Sequence, residues 1–309
     1  MKKYFGLLLL VLLINACDDG DVTVQDISFE SVAAANCGQI VYKIKSNQIL
    51  LIKITENDTA FKSDQTKLNK PRIYNINSSN SVTYRSYNGV VSGDNICINP
   101  PATKPDVTEE WKAISGTIEI TTTVNKSTNT TTNATTIAGY NHSVTFKNIT
   151  FSKPNGNQFY DVFNFGFYKT TITPLNFSFS TTVQKCPVVG NTIITNKIGS
   201  VALMSYDNNP DNINTTIGVK TAAISATNKL YYRTFANLDP ANYLCNTTFP
   251  AGSTMLQEWV ATSGTVEITT INNGGTSLKH TLNLKGVNLK FGNSDFYLGD
   301  NFNLGEIVN

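Results

Sequence analysis

One stretch of this chain occurs twice, so whatever fold it adopts has to be built twice in tandem. The run Glu110-Trp111-Lys112-Ala113-Ile114-Ser115-Gly116-Thr117-Ile118-Glu119-Ile120-Thr121-Thr122 returns as Glu258-Trp259-Val260-Ala261-Thr262-Ser263-Gly264-Thr265-Val266-Glu267-Ile268-Thr269-Thr270. The match extends outward at nearly constant offset. Tyr84-Arg85 answers Tyr232-Arg233, Cys37 answers Cys186, Cys97 answers Cys245 and His142 answers His280. Phe159-Tyr160 is matched to Phe296-Tyr297, and Phe163-Asn164-Phe165-Gly166 to Phe302-Asn303-Leu304-Gly305. Ile27-Ser28-Phe29 is echoed by Phe177-Ser178-Phe179. Two homologous units follow, residues 22–169 and 170–309. No Pro/Gly-rich linker parts them, so the units are expected to pack together.

Alternation of apolar and polar residues sets the fold class. Ile118 and Ile120 share one face of a strand, as do Val144 and Phe146. The alternation then slips by one at Lys147-Asn148, to resume with Ile149 and Phe151, and slips again at Gly286 in the second unit. A slip at the same place in both copies predicts a bulge. Hairpin signals stand at Ser46-Asn47, Ser78-Ser79-Asn80 and Asn272-Asn273-Gly274-Gly275. No amphipathic helix is predicted beyond the first residues. The expected fold is all-β: two tandem antiparallel, Ig-like β-sandwiches of about seven to nine strands each.

The duplication also orders the cysteines. Four cysteines allow three pairings. Equivalent placement in the two units favours Cys37–Cys97 and Cys186–Cys245, each worth roughly 4 kcal/mol in the chain-entropy account. No CxxC or Cys/His cluster supports metal binding, and an oxidising compartment is implied.

The copies differ in one respect. The interval from Thr122 to His142 is ten residues longer than that from Thr270 to His280. The extra residues fall in a run of Thr, Asn and Ser between Thr121 and Thr136. At a hairpin tip, such low complexity reads as a mobile, solvated loop, or as a binding or glycan-bearing one.

The N-terminus carries an address. Met1-Lys2-Lys3 precedes an apolar run from Tyr4 to Ile14, too short to span a bilayer, which reads as a signal peptide over residues 1–16. It ends in Leu13-Ile14-Asn15-Ala16-Cys17, and Asp18, Asp19, Gly20 and Asp21 follow. This arrangement resembles the surface lipoproteins of Bacteroidota, in which a lipobox Cys is followed by an acidic export signal. The resemblance covers only these first residues and no specific family is read in the duplicated units. It implies lipidation at Cys17, which accounts for the odd cysteine. It further implies an acidic tether over residues 17–21, with Asp18, Asp19 and Asp21 as export signal, and attachment to the outer membrane at the cell surface. Asp58-Thr59-Ala60 resembles the O-glycosylation acceptor of the same group and makes Thr59 a candidate site.

The chain has 24 Lys+Arg against 22 Asp+Glu. Losing Lys2 and Lys3 with the signal leaves the mature chain formally neutral, with no general field for nucleic acid. A Ser-His-Asp triad would need His142 or His280, and no Gly-x-Ser-x-Gly elbow accompanies them. Glu119 and Glu267 lie opposite the isoleucine face, in water. Glu110 and Glu258 precede a Trp that they are expected to orient, or else they cap a turn. Asp207-x-Asn209-x-Asp211 begins like a calcium loop but lacks the required Gly and Glu further on. No cofactor, metal site or catalytic residue is therefore expected. Trp111 and Trp259, one per unit, are either core residues or platforms for a sugar ring. The functional expectation is a non-enzymatic binding or adhesion protein for a glycan, host or nutrient ligand. The alternative is an accessory subunit docked on another outer-membrane protein, and a hydrolase has the least support.

Overall fold

The structure is a computed structural model that describes residues 27–188, 191–208, 213, 215–237 and 252–308. Cys17, Asp18, Asp19, Asp21, the signal segment, Cys245 and the run from Asn209 to Asp211 lie outside the described residues. The chain is all-β. In the first unit β1 (Ala34–Cys37), β2 (Ile40–Lys45), β3 (Gln48–Ile54), β4 (Arg72–Asn75), β5 (Asn80–Tyr87), β6 (Val107–Thr128), β7 (Thr135–Lys153) and β8 (Gly156–Thr171) form one antiparallel sheet. Its order is β1-β2-β3-β5-β6-β7-β8, with β4 also on β6. The second unit comprises β9 (Gln184–Val188), β10 (Asn191–Ile198), β11 (Ala202–Asn208), β12 (Gly218–Ala223), β13 (Lys229–Asn237), β14 (Thr254–Asn272), β15 (Leu278–Phe291), β16 (Ser294–Tyr297) and β17 (Phe302–Val308). Its order is β9-β10-β11-β13-β14-β15-β16, with β12 on β14 and β17 on β15, which repeats the first topology with β8 divided into β16 and β17.

A single sheet becomes a sandwich here because its longest strands bend. The first part of β6 pairs with β5 through Lys112, and Thr117–Ile120 pairs with β4. Between them the register slips opposite Asn148. Gly116 adopts φ 115° and Asn148 φ 50°, and Gly264 and Gly286 repeat this at 114° and 60°. A Cβ on Gly116 would lie 2.8 Å from the Ile149 Cα, so no other residue fits without moving the neighbouring strand. The bulge shifts the alternation by one, which keeps Trp111 before it and Ile118 and Ile120 after it in the same core. This is the bulge expected from the phase slip. The two-residue turn at Ser46-Asn47 and the Asn272-to-Leu278 connection also form where the turn residues place them.

The Ser78-Ser79-Asn80 signal is corrected. Its flanking strands, β4 and β5, do not pair with each other but with successive stretches of β6. Asn77 Oδ1 accepts the Ser79 and Asn80 N–H groups and turns the chain from one sheet layer toward the other. The match of Phe159 to Phe296 is also corrected. Ala113 pairs with Phe151 and Phe151 with Gln158, whereas Ala261 pairs with Leu289 and Leu289 with Phe296. Phe296 thus stands where Gln158 does. One residue of slip reverses the face, and Phe159 is 59% exposed while Phe296 is 1% exposed.

The polar insertion is exposed to solvent over residues 125–133, as expected, but it is built as a pair of strands and not as a loop. β6 and β7 run on through it to Thr128 and Thr135, as suits β-branched threonine. Asn129 Oδ1 closes the tip by accepting the Thr131 and Thr132 N–H groups. The resulting arm seats on the second unit. Lys126 Nζ meets Asp295 at 2.9 Å, Asn133 Nδ2 donates to Asp300 at 2.7 Å, and Tyr297 N–H donates to Thr135 Oγ1 at 2.8 Å. Ile137 and Tyr140 at the arm's base are buried in the second unit's core. Nearby, the Asp64 carboxylate accepts the Asn293 N–H at 3.0 Å and the Ser294 hydroxyl at 3.3 Å. The partners are specific backbone and side-chain groups, which composition alone does not reveal.

Each unit also latches its own approach segment. Phe29 packs on Tyr84 and Phe179 on Tyr232, both with ring centroids 6.3 Å apart. Lys43, 1% exposed, donates to Phe29 O at 3.0 Å and Glu30 O at 3.2 Å, with its ammonium over the Phe165 ring. Asn196, at the same register position, donates to Ser180 O and Leu304 O at 2.7 Å. Burial lowers the Lys43 pKa to about 8, with Glu30 opposing.

Candidate functional site

Of the two expectations for the tryptophans, burial bears out the core residue and excludes the sugar platform. Trp111 is 0% and Trp259 2% exposed, each paired across the strands with a tyrosine, Tyr84 and Tyr232. The faces of Trp111 meet Tyr84 at 4.7 Å and the Lys153 ammonium at 4.3 Å, so a sugar has no ring face to stack on. Trp259 packs instead on Phe296 at 4.9 Å and Phe291 at 5.4 Å. The indole N–H groups donate to Glu109 at 2.6 Å and Gln257 at 3.1 Å. It is therefore the residue two before each Trp that orients it, not Glu110 or Glu258.

The two histidines are likewise inside. His142 Nδ1 faces Thr122 Oγ1 at 2.8 Å, and Nε2 faces Thr170 Oγ1 at 3.0 Å. Arg72 donates to Thr122 Oγ1 at 2.7 Å. Each ring nitrogen thus meets a hydroxyl that can donate or accept, an arrangement that satisfies a neutral imidazole. Phe61 meets this ring edge-on at 5.4 Å and Tyr168 stacks on it at 5.9 Å. Burial, then the Arg72 charge, lowers the His142 pKa to about 4. His280 repeats the Thr contact at 2.9 Å, and burial followed by Lys185 lowers it in the same direction. Both are structural groups in strand cores.

The expected Cys37–Cys97 disulfide is formed, with Cα atoms 5.7 Å apart. Cys186 is disulfide-bonded as well. Thr59 lies exposed on a single helical turn, Asn57–Ala60, with its hydroxyl donating to Glu56 O. Among the described residues no three His, Cys, Asp or Glu side chains gather as metal ligands. Nor is any helix among them long and apolar enough to cross a membrane.

The structure adds a groove that the sequence did not single out. The connection from β5 to β6 contains a helical turn, Asp94–Cys97, which the disulfide ties to β1. Asn95, buried beneath, donates to Ala102 O at 3.3 Å and Lys104 O at 2.9 Å and folds the rest of the connection back over the sheet. Asn88 and Asp106 pin its end through a backbone and a side-chain hydrogen bond. Between this loop and the strands lies an open groove of about 500 Å³. Arg85, Tyr87, Val107 and Glu110 line the strand side, and Asn95, Pro101, Ala102, Thr103 and Pro105 the loop side.

Its polar centre is an ion pair. Arg85 and Glu110 are direct cross-strand partners, with Nε 2.6 Å from Oε2, and Lys112 Nζ reaches the other carboxylate oxygen at 3.0 Å. Burial works against ionising Glu110, but hydrogen bonds from Arg85 and Lys112 outweigh it and hold the carboxyl below its ordinary value. Arg85 is held above its ordinary value, since Glu110 more than offsets its burial. The second unit keeps the pair as Arg233–Glu258, also at 2.6 Å, with the guanidinium over Tyr231. Retention of an Arg and a Glu at equivalent places in both copies was the signal that could have pointed here. Residues 238–251, in the corresponding connection, lie outside the described residues.

The chain matches no protein-family model, no curated protein and no solved structure.

Proposed function

We propose that the chain is a lipid-anchored protein of a Bacteroidota-type envelope that works by binding rather than catalysis. Cys17 carries the lipid, and Asp18, Asp19 and Asp21 direct the mature chain to the outer face of the outer membrane. The observation that carries the binding reading is the groove over Arg85 and Glu110. Its volume falls within the ~300–1,000 Å³ of ordinary small-molecule sites. Its loop wall is fixed by a disulfide and by Asn95, so little ordering entropy is lost when a ligand enters.

The test is a binding screen of the mature chain against neutral glycans, acidic glycans, peptides and nucleotides. A Thr103→Trp variant runs in parallel, because Thr103 is an exposed groove residue whose enlargement fills the cleft without touching the core. Binding that the variant abolishes supports the reading. Binding that the variant leaves intact places the ligand elsewhere and overturns it.

A second reading, an accessory subunit docked on another outer-membrane protein, is favoured by a different surface. Ile217, Val219, Ile271 and Val308 are all exposed. Val219 pairs beside Thr269, and Ile271 and Val308 flank Lys279 on the same sheet. Crosslinking from Val219 in the native membrane to one stoichiometric protein, with no ligand found for the groove, would favour it.

A further inference from the structure

Resting on the binding reading, we infer that the groove takes a neutral polyhydroxylated ligand, a saccharide segment, held by vicinal hydroxyls across Arg85 and Glu110. The first argument is the placement of donor and acceptor. Arg85 and Glu110 stand directly opposite each other on β5 and β6 and both face the groove. Arg85 gives its Nε–H to Glu110 and also hydrogen-bonds the Tyr87 side chain, and a guanidinium carries five N–H donors in all. Glu110 accepts from Arg85 and Lys112 and has lone pairs beyond those two contacts. A hydroxyl is both donor and acceptor, so two neighbouring hydroxyls can accept from Arg85 and donate to Glu110 together.

The second argument is charge. Arg85 and Lys112 both already pair with Glu110, so a carboxylate, sulfate or phosphate entering beside Arg85 would have to compete with a carboxylate that is in place. A cationic ligand entering beside Glu110 would meet Arg85 and Lys112. A neutral ligand can bind without separating the existing pair.

The third argument is the opposite wall. Pro101, Ala102 and Pro105 offer C–H surfaces. The prolines are rigid, and they cost no side-chain entropy on binding. Such a wall suits the C–H face of a sugar ring. It offers no exposed aromatic ring for a planar base, since Tyr87 is buried apart from its groove edge.

The experiment measures affinity by calorimetry for neutral oligosaccharides and for their uronic-acid or sulfated counterparts. It uses the mature chain together with Glu110→Gln, Arg85→Gln and Thr103→Trp, at low and high salt. Near-ultraviolet circular dichroism of each variant reports whether the fold is kept. The expected result is a neutral saccharide bound with little salt dependence, weakened about tenfold or more by either Gln substitution through loss of a charge-assisted hydrogen bond. Thr103→Trp should abolish binding even if a Gln variant is misfolded. An acidic ligand bound more tightly, weakened by salt and by Arg85→Gln alone, would overturn this ligand class and leave the binding reading standing. No ligand that distinguishes the wild type from Thr103→Trp would overturn both.

Discussion

Acidification should unfold this protein through a histidine that no solvent touches. His142 is neutral, wedged between Thr122 and Thr170 and enclosed by Phe61 and Tyr168. Its pKa falls from 6.5 to about 4 in the folded chain. The folded value lies below the unfolded one, so between them the unfolded chain binds more protons. Stability is then fully present above about pH 6.5 and is lost as the pH falls toward 4. A difference of that size corresponds to about 3 kcal/mol, a large share of the stability of an ordinary domain. His280 acts with the same sign. The assay is urea unfolding at several pH values from about 7 to 5, a floor above the ordinary carboxylate range. The reference is a His142→Gln, His280→Gln double variant, which is less stable at neutral pH but has no imidazole to charge. The wild type should lose about 2 kcal/mol across this window while the variant loses much less. Equal slopes in the two proteins would refute the reasoning, because the acid sensitivity would then come from groups other than the buried imidazoles.

Three further outcomes follow from the same geometry. Trp111→Ala and Trp259→Ala should each cost about 3–5 kcal/mol in chemical unfolding, since both indoles are core groups; a cost below 1 kcal/mol at either site would contradict the packing. Replacing the arm tip, Asn129 to Ala134, with a short turn and adding Lys126→Ala should weaken the seat of the arm and lower the calorimetric melting temperature, while Ile137, Tyr140 and Asp64 still join the units; an unchanged melting temperature would count against the seat. Lys43 has a folded pKa of about 8, below its unfolded value, so the cost of burying its ammonium is present below pH 8 and relieved as the pH rises. The wild type should therefore gain up to about 3 kcal/mol on Lys43→Met between roughly pH 8 and 10, and parallel pH profiles would count against the latch.

What could be read from the residues was whatever depends on local pattern. The bulges at Asn148 and Gly286 showed as slips in alternation, because a bulge must shift the phase to keep Trp111 and Ile118 in one core. The Cys37–Cys97 bridge followed from placement in two copies. What depends on a distant surface stayed hidden. The Thr/Asn/Ser arm has the composition of a solvated loop, and only Asp295, Asp300 and Tyr297 on the far unit give it a place. Phe159 and Phe296 look equivalent in sequence, yet a one-residue slip puts one outside and the other against Trp259. Lys43 reads as a polar residue on an alternating strand, and its burial depends on carbonyls of a segment more than a dozen residues earlier. The groove was missed for a related reason: Arg85 and Glu110 become partners only when β5 and β6 pair.

The most direct test of surface display uses the lysines that the fold leaves in solvent. The Lys104 and Lys112 side chains are 78% and 69% exposed. Intact native cells would be treated with a membrane-impermeant amine reagent, with a periplasmic protein as leakage control, and modification at these two residues read by mass spectrometry. A protein anchored on the outer face should be labelled in intact cells as fully as after lysis. Labelling only after lysis would contradict surface display, leaving Asp18, Asp19 and Asp21 without the export role proposed for them and the groove without access to an external ligand.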